Sequence, residues 1–283
     1  MPGLIVDRYG DALVCQINTA GMALLEAPLL EALDKVLKPA TIVLRNDSPA
    51  RTLEGLELET RIVRGTVEAP FQVRENGCEF LADLSGGQKT GWFFDQRPNR
   101  AFIADLARGA RVLDAYSFTG GFGVLAAARG AAEVALLDRS EPALALAKRA
   151  AELNGVGDRI KTMRGEAFEV LESLAASKDR FDIVILDPPA FVKSRKDLGP
   201  GGRAYRKLAR LGSALVGRGG FLLAASCSHN MGLEPFGEAV RHGIQDAGRT
   251  ARLLYTGFAG PDHPVHPALP ESAYLKAQVL AID

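Results

Sequence analysis

Several features that place a protein in a specialised class are scarce or absent in this 283-residue sequence. It has only three cysteines, Cys15, Cys78 and Cys227, and no two of them form a C-x-x-C pair. This argues against a disulfide framework and against a cysteine-based zinc site. No apolar run approaches the roughly 18 residues that suggest a membrane span, and no signal peptide is recognisable. We therefore expect a cytoplasmic protein without a membrane partner.

A net charge is absent too, because 34 Lys and Arg residues balance 34 Asp and Glu residues. No global field attracts the chain to a polyanion, so any affinity for nucleic acid must come from a local cluster. Hydrophobic residues make up 47% of the chain, which is typical of an ordinary globular protein. The length allows two modest domains or one large one.

The first part of the chain has the pattern of a small α+β module. Its predicted elements are two strands over 3–17, a helix over 22–38 that Pro28 interrupts, a strand over 41–45 and a hairpin over 71–84. The hairpin prediction depends on Asn76-Gly77, the strongest short turn signal for two-residue hairpins. We assign residues 1–95 to this module and residues 96–283 to a second domain.

Strands and helices alternate regularly in the second domain. The predicted strands that precede helices cover residues 111–117, 133–138, 159–166, 181–187 and 219–228. This alternation predicts a doubly wound parallel α/β sheet, whose ligands bind at the carboxyl ends of the strands. Ser140 is expected to cap the helix after the second strand.

The segment DAYSFTGGFG, residues 114–123, joins the first of these strands to its helix. Its glycines let backbone N–H groups approach a ligand, and an acid at the second strand end can bind ribose hydroxyls. Nicotinamide dinucleotides and S-adenosylmethionine both use such a set. Asp114 would repel a pyrophosphate but can hold the ammonium of a methionine moiety, so we favour S-adenosylmethionine. The candidate cofactor ligands here are Asp114, Phe118, Gly120, Asp138 and Glu166.

The segment from Asp187 to Phe191, DPPAF, follows the fourth strand of the second domain. Its prolines remove N–H donors and leave carbonyls to accept from an amino group, and Phe191 offers a face for stacking a base. Asp187 is a candidate to hold the base or relay its proton, and Pro188 to contact it. Enzymes that methylate the exocyclic amines of bases carry such segments. The DPPAF segment alone therefore does not decide whether a nitrogen or a carbon of the base is methylated.

Cys227 follows the fifth strand, whose end should lie close to Asp187. A thiolate there can attack carbon 6 of a pyrimidine and activate carbon 5 for methylation. A free thiol has a pKa of roughly 8.5, so local positive charge or hydrogen bonding must favour the thiolate; His229 is a candidate helper. The alternative, a small buried apolar residue, is equally open for Cys227 and is favoured for Cys15 and Cys78.

Residues 193–210 carry seven basic side chains against one acid, Asp197. Such a cluster suits a phosphate backbone, and a solvated helix face is the alternative. Three glycines, at 199, 201 and 202, suggest a mobile loop that orders on RNA. The candidate RNA contacts are Lys193, Arg195, Lys196 and Arg203.

Taken together, these residues resemble the bacterial family of large-subunit ribosomal RNA 5-methylcytosine methyltransferases. The likeness is carried by PGLIVDRYGD (2–11), GGQKTGWFFDQRPNR (86–100), VLDAYSFTGGFGVLAAARGAAEV (112–134), ILDPPAFVKSRKDL (185–198), ASCSHNM (225–231) and DHPVHPALPESAYLK (262–276). It implies a class I, Rossmann-like methyltransferase domain behind a small module, with S-adenosylmethionine as donor and RNA as substrate. It also implies that Phe94, Gln96 and Arg97 line the cofactor pocket, although Gln96 and Arg97 suit hydrogen bonding at a domain junction equally.

Two departures from the family pattern stand out. Family members generally begin with an RNA-binding domain of the PUA type, whereas the phrase that follows that domain starts here at residue 2; we expect either a lost domain or a truncated start. Ala190 occupies the position at which another branch of RNA 5-methylcytosine methyltransferases carries a second cysteine. The chain therefore resembles the branch that has one cysteine.

The resulting interpretation is an RNA 5-methylcytosine methyltransferase, with a homodimer left open. A nitrogen methyltransferase, a non-catalytic RNA or ribosome-assembly binder and, more distantly, a nicotinamide oxidoreductase are the alternatives. His263 and His266, without a third ligand, predict no metal site.

Overall fold

The computed structural model describes residues 1–67, 70–84 and 90–283. Two compact units divide the chain: Met1–Arg74 with Leu81–Phe93, and Glu75–Phe80 with Phe94–Asp283. Within the described ranges, no helix is both long and apolar enough to cross a bilayer. The first four residues of the GGQKT stretch, 86–89, lie outside the described residues.

The first unit is built around a four-stranded sheet of order β1-β2-β3-β4. The elements up to residue 82 are β1 Leu4–Tyr9, β2 Ala12–Ile17, α1 Ala20–Leu24, α2 Glu26–Leu37, β3 Thr41–Asn46, α3 Ala50–Leu53, β4 Glu59–Arg64, β5 Phe71–Glu75 and β6 Cys78–Ala82. Strands β2 and β3 are parallel, and the pairs β1–β2 and β3–β4 are antiparallel. The predicted hairpin turn is confirmed between β5 and β6, because Asn76 and Gly77 have φ of 52° and 82°, as a two-residue turn of type I′ requires.

The helical segment predicted over 22–38 is confirmed, but it is interrupted at Leu25 and not at Pro28. Leu25 leaves the helical conformation, with φ −98° and ψ 11°, and separates α1 from α2. Pro28 is not the break: it is the third residue of α2, in the first turn, where its missing N–H would have had no intrahelical partner.

Two of the three cysteines fill hydrophobic cores, as predicted. Cys15 is fully buried among Leu13, Ile17 and Leu44 of the first unit, and this burial raises the pKa of its thiol to about 12. Cys78 is buried as well, whereas Cys227 is partly exposed. Cys227 is therefore the accessible thiol of the chain.

The second unit contains the predicted doubly wound sheet, with strand order β12-β13-β11-β10-β7-β8-β9. Its elements are α4 Arg97–Asp105, β7 Arg111–Ala115, α5 Gly121–Ala128, β8 Glu133–Asp138, α6 Glu141–Leu153, β9 Ile160–Arg164, α7 Ala167–Ala176, β10 Phe181–Leu186, α8 Leu198–Leu215, β11 Val216–Ser226, α9 Leu233–Asp246, β12 Ala251–Gly257 and β13 Lys276–Ile282. The five strands from β7 to β11 run parallel. The strand order reverses between β7 and β10, which is where a doubly wound sheet opens a crevice for ligands.

The sheet is not parallel throughout, and here the prediction needs correction. β13 lies between β11 and β12 and pairs antiparallel with both. A parallel connection needs a crossover, usually through a helix, but residues 258–275 contain only a short 3₁₀ turn, Pro270–Ser272. The chain therefore returns beside β12 in the opposite direction.

The mobile loop predicted for residues 199–202 is also wrong, because these glycines lie in the first turns of α8. Ser194 and Asp197 form a capping box just before the helix, and Pro200 sits where no N–H is needed. A Cβ on Gly201 would overlap Val192 Cγ2 and lie 2.8 Å from the carbonyl oxygen of Phe191. Gly201 thus allows α8 to pack closely on the segment that follows β10.

Gly201→Ala should destabilise the protein by about 1–3 kcal/mol, because the new methyl group meets backbone that cannot rotate away. Gly202→Ala is the matched control: its Cβ would meet only Met231 Cε, at 4.0 Å, so a gain of up to about 1 kcal/mol from helix propensity is expected. Urea unfolding of both variants measures the difference, and equal stabilities would contradict the close packing.

Candidate functional site

Four of the predicted site residues lie at the carboxyl ends of adjacent strands. Cys227 follows β11, Asp187 follows β10, Asp114 is the penultimate residue of β7 and Asp138 ends β8. Since these strands are neighbours in the order β11-β10-β7-β8, the four side chains occupy one edge of the sheet in that sequence. Glu166 lies farther along, two residues beyond the end of β9.

Asp114 is completely buried beneath the glycine-rich loop. Its Oδ2 accepts a hydrogen bond from the backbone N–H of Gly123 at 2.8 Å, but its Oδ1 has no partner among the described residues. Burial raises the pKa of this carboxyl to about 8; the charges of Asp187 and Asp138 add to the effect, while the Gly123 bond and Arg100 oppose it. A positively charged hydrogen-bond donor at Oδ1 would therefore stabilise the ionised form of Asp114.

The loop itself has the backbone geometry of a ligand cradle. Gly120 has φ 82°, and a Cβ there would lie 2.9 Å from both Ala147 Cβ and Val124 Cγ2. The hydroxyls of Ser117 and Thr119 are buried without a partner in the part of the chain that is described. Since buried polar atoms nearly always have partners, these hydroxyls and Asp114 Oδ1 mark a position where a polar ligand fits.

The Asp138 carboxylate holds the same loop through two hydrogen bonds. One carboxylate oxygen accepts the N–H of Phe118 at 2.9 Å, and the other accepts the N–H of Ser140 at 2.8 Å. Each carboxylate oxygen can accept more than one hydrogen bond. Asp138 is thus fixed in place while it retains acceptor capacity for hydroxyl donors.

Gln96 orients Asp187. The Gln96 Nε2 group donates to Asp187 Oδ1 at 2.9 Å, and Gln96 Oε1 accepts from Asn99 Nδ2 at 2.7 Å. Tyr255 donates to Asn99 Oδ1 at 3.4 Å. The sequence analysis missed Asn99. The available signal was its position three residues after Gln96, a spacing that brings two side chains together at the start of a helix.

Two other predicted cofactor ligands, Arg97 and Glu166, lie beside side chains of opposite charge. Arg97 forms ion pairs with Glu75, at 3.5 Å, and with Asp262, at 3.0 Å. The Glu166 side chain is 63% exposed and lies 3.9 Å from Arg139. In the described residues no group of three potential metal ligands occurs, and His263 contacts Asp262 instead.

A buried hydroxyl cluster holds the ends of β10 and β11 together. Tyr205 of α8 places its phenol oxygen 2.8 Å from Ser226 Oγ and 2.9 Å from Ser228 Oγ. The N–H of Phe191 donates to the same phenol oxygen at 3.4 Å, and the N–H of Val192 donates to Ser228 Oγ at 3.1 Å. Both serines are fully buried, while Cys227 between them is partly exposed.

Aromatic packing fixes Phe191, the predicted stacking residue. Its ring centroid lies 4.8 Å from that of Tyr205 and 6.0 Å from that of Phe168. Phe191 remains partly exposed and Pro188 is buried. The ring of Phe191 is consequently held in place at the end of the DPPAF segment.

Lys276 supplies a positive charge beside Cys227, and the sequence analysis missed it. It is 3% exposed, and its Nζ donates to the carbonyl oxygens of Ser228, at 2.6 Å, and Tyr274, at 2.8 Å. Burial lowers the pKa of Lys276 to about 8, and the nearby Cys227 charge acts in the opposite direction. His229, the helper expected from sequence, stacks on Tyr274 with ring centroids 4.9 Å apart. A lone lysine opening the apolar strand KAQVLAI was the available signal.

The basic segment is less positive than its composition suggests. Arg206 pairs with Asp246 at 2.6 Å, and Lys207 pairs with Glu172 at 2.9 Å. By contrast, no ion pair within the described ranges engages the four predicted RNA contacts, all of them exposed: Lys193, Arg195, Lys196 and Arg203. The charges of these four side chains are therefore not compensated by an acid within the described residues.

Comparison with known proteins gives a consistent result. The model of the S-adenosylmethionine-dependent methyltransferase family matches residues 44–254. A ribosomal RNA large subunit methyltransferase I from Aeromonas salmonicida is 38% identical over 282 residues, which are 99% of this chain and 71% of that protein.

Solved structures show the same fold. A SAM-dependent methyltransferase from Streptococcus mutans matches with a TM-score of 0.85 at 24% identity, covering 99% of this chain and 71% of that one. A methyltransferase complexed with SAH gives the same TM-score of 0.85 at 23% identity and the same coverage, 99% and 71%. These two likenesses confirm the predicted fold class.

Asp114→Asn should change how the stability of the ligand-free protein depends on pH. The folded-state pKa of Asp114, about 8, lies above the roughly 3.9 of an unfolded aspartate, so wild-type stability is favoured at low pH and falls as pH rises from about 4 to about 8. Asparagine removes this contribution. Urea midpoints measured from pH 5 to pH 8 should therefore fall more steeply for the wild type, and parallel curves would contradict a buried carboxyl.

Proposed function

Because this chain belongs to the S-adenosylmethionine-dependent methyltransferase family, we propose that it methylates carbon 5 of a cytosine in large-subunit ribosomal RNA. The name of the Aeromonas relative, whose alignment takes in 99% of this chain and 71% of that protein, supports ribosomal RNA as the substrate class. The observation that carries carbon chemistry is the partly exposed Cys227, which follows the strand next to that of Asp187 and has Lys276 as its cationic neighbour.

The residues at β7 and β8 fit S-adenosylmethionine. Asp114 Oδ1 is a buried acceptor without a partner in the described chain, as the ammonium of the methionine moiety requires. Asp138 retains acceptor capacity for ribose hydroxyls, and the glycine at 120 allows close approach. When bound, the cofactor supplies an electrophilic methyl group on a sulfonium.

The residues at β10 and β11 fit the acceptor base. The Cys227 thiolate forms a bond to carbon 6 of the cytosine, and the electron pair of the 5,6 double bond moves to carbon 5. Carbon 5 takes the methyl group and then gives its proton to a base; the carbon–sulfur bond breaks and the double bond returns. Asp187, oriented by Gln96, holds the base edge or relays the proton, and Phe191 packs against the target.

The exposed, unpaired cluster Lys193, Arg195, Lys196 and Arg203 supports a role in RNA binding. Lys193, Arg195 and Lys196 lie between the DPPAF segment and α8, and Arg203 lies in the second turn of α8, so phosphates bound there would lie close to the reacting base. The target base must leave any pairing to enter, at a cost of a few kcal/mol.

We propose that residues 1–95 form a small α+β module and that residues 96–283 form the methyltransferase domain that carries out catalysis. A location in the cytoplasm accords with a ribosomal RNA substrate. The homodimer stays a prediction.

Cys227→Ala should lower RNA methylation at least about a thousandfold, because the proposed mechanism needs the Cys227 sulfur to form the bond to carbon 6. The assay is mass spectrometry of all methylated nucleosides, 5-methylcytosine included, in ribosomal RNA from cells that lack the native gene and express the wild type or the variant. Binding of S-adenosylmethionine, measured by calorimetry, should be unchanged.

Retention of most turnover by Cys227→Ala would instead indicate a nitrogen methyltransferase that uses the carbonyls of Asp187, Pro188 and Pro189. Absence of binding heat and of a thermal shift with S-adenosylmethionine in the wild type would favour a non-catalytic RNA binder. Cys15→Ala is the control for thiol loss elsewhere and should leave methylation intact.

Replacing Lys196 and Arg203 together by Gln should weaken RNA binding and flatten its salt dependence. For single-stranded RNA the log–log slope should fall by about 0.7 for each phosphate that the protein no longer neutralises. Arg206→Gln is the matched control, because its charge is already paired with Asp246. Fluorescence anisotropy with an RNA oligonucleotide at several salt concentrations gives the slopes, and an equal weakening in both proteins would refute the assignment.

A further inference from the structure

The surroundings of Cys227 contain a buried cation. Tyr205 approaches from α8, and burial raises the pKa of its phenol, so it is neutral near pH 7. Asp187 lies at the end of the neighbouring strand and is held by Gln96, and His229 stacks on Tyr274. Lys276 approaches from β13 with its ammonium enclosed by protein.

The backbone places this ammonium beside residue 227. In the antiparallel pairing of β11 with β13, Lys276 lies opposite Ser226, and its side chain reaches the carbonyl oxygen of Ser228. The lysine is thus anchored to the residues on both sides of Cys227. An ammonium has three hydrogens to donate, and the two carbonyl oxygens of Ser228 and Tyr274 take two of them.

We propose that Lys276 is a positioning residue that stabilises the Cys227 thiolate: its third N–H donates a hydrogen bond to the sulfur, and its positive charge lies beside the negative charge of the sulfur. This inference rests on the proposed carbon 5 chemistry for its purpose, since a nitrogen methyltransferase has no use for a thiolate. A cation next to a thiol lowers the pKa of the thiol. Because the pKa of Lys276 is about 8, the stabilisation is present below that pH and disappears as pH rises through it.

The test measures the thiol directly and needs no RNA. Alkylation of the full-length protein by iodoacetamide is followed from pH 5.5 to pH 10 by mass spectrometry of the Cys227 peptide. The wild-type rate should reach half its maximum below the roughly 8.5 of a free thiol. In Lys276→Met the midpoint should rise by about one pH unit, which lowers the rate at pH 7 about tenfold.

Two further variants separate charge from structure. Lys276→Arg keeps a cation and should keep the midpoint within about half a unit of the wild type. Lys161→Met removes an exposed lysine of β9 that is paired with Glu133 of β8. It should leave the alkylation midpoint unchanged. An unchanged midpoint in a folded Lys276→Met would overturn the inference. If that variant does not fold, a wild-type alkylation midpoint at or above roughly pH 8.5 would overturn the inference.

The outcome is distinguishable from failure of the proposed function. If Cys227→Ala retains methylation while Lys276→Met still shifts the alkylation midpoint, the carbon 5 reaction is wrong and the thiolate pairing stands. If Cys227→Ala is inactive and the midpoint does not move, the reaction stands and Lys276 has only a structural role.

Discussion

The phenol oxygen of Tyr205 is the point on which the geometry of the site depends. It joins Ser226 and Ser228, which flank Cys227, to the backbone N–H of Phe191 in the DPPAF segment. The loops after β10 and β11 are thereby tied to each other and to α8. Hydrogen bonds in such a dry cluster are electrostatically stronger than in water. The hydrogen bonds of Tyr205 hence hold the DPPAF segment and the residues on both sides of Cys227 in a fixed relation.

Charge is distributed asymmetrically along the edge of the sheet. Asp114 and Asp138 lie at β7 and β8, and the Lys276 ammonium lies beside β11. A positively charged methyl donor suits the first region, and an anionic nucleophile suits the second. Asp187 lies between them, so in the proposed reaction each reactant would meet charge of the opposite sign on its own side.

Local signals in the sequence predicted local structure well. The Asn76-Gly77 turn has the expected backbone, and Ser140 caps α6 by accepting from the N–H of Ala143 at 3.3 Å. The row of acids and Cys227 could be found too, because polar residues at the ends of apolar strands share one edge of a sheet. What these predictions have in common is that a few adjacent residues determine each of them.

The failures arose where distant parts of the chain meet. Gly201 suggested flexibility, but its role is to admit the backbone of Phe191. Arg206 counted as free charge, although Asp246, forty residues later, neutralises it. Lys276 was overlooked because its proximity to Cys227 exists only once β13 has paired with β11. No short-range pattern encodes such neighbours.

The placement of β13 has a consequence for biosynthesis. Translation produces this strand after β11 and β12, yet it lies between them. A nascent chain that has already made Cys227 still lacks Lys276, and the edge of β11 is unpaired until β13 is inserted. Cys227 accordingly acquires its cationic neighbour only when β13 has closed the sheet.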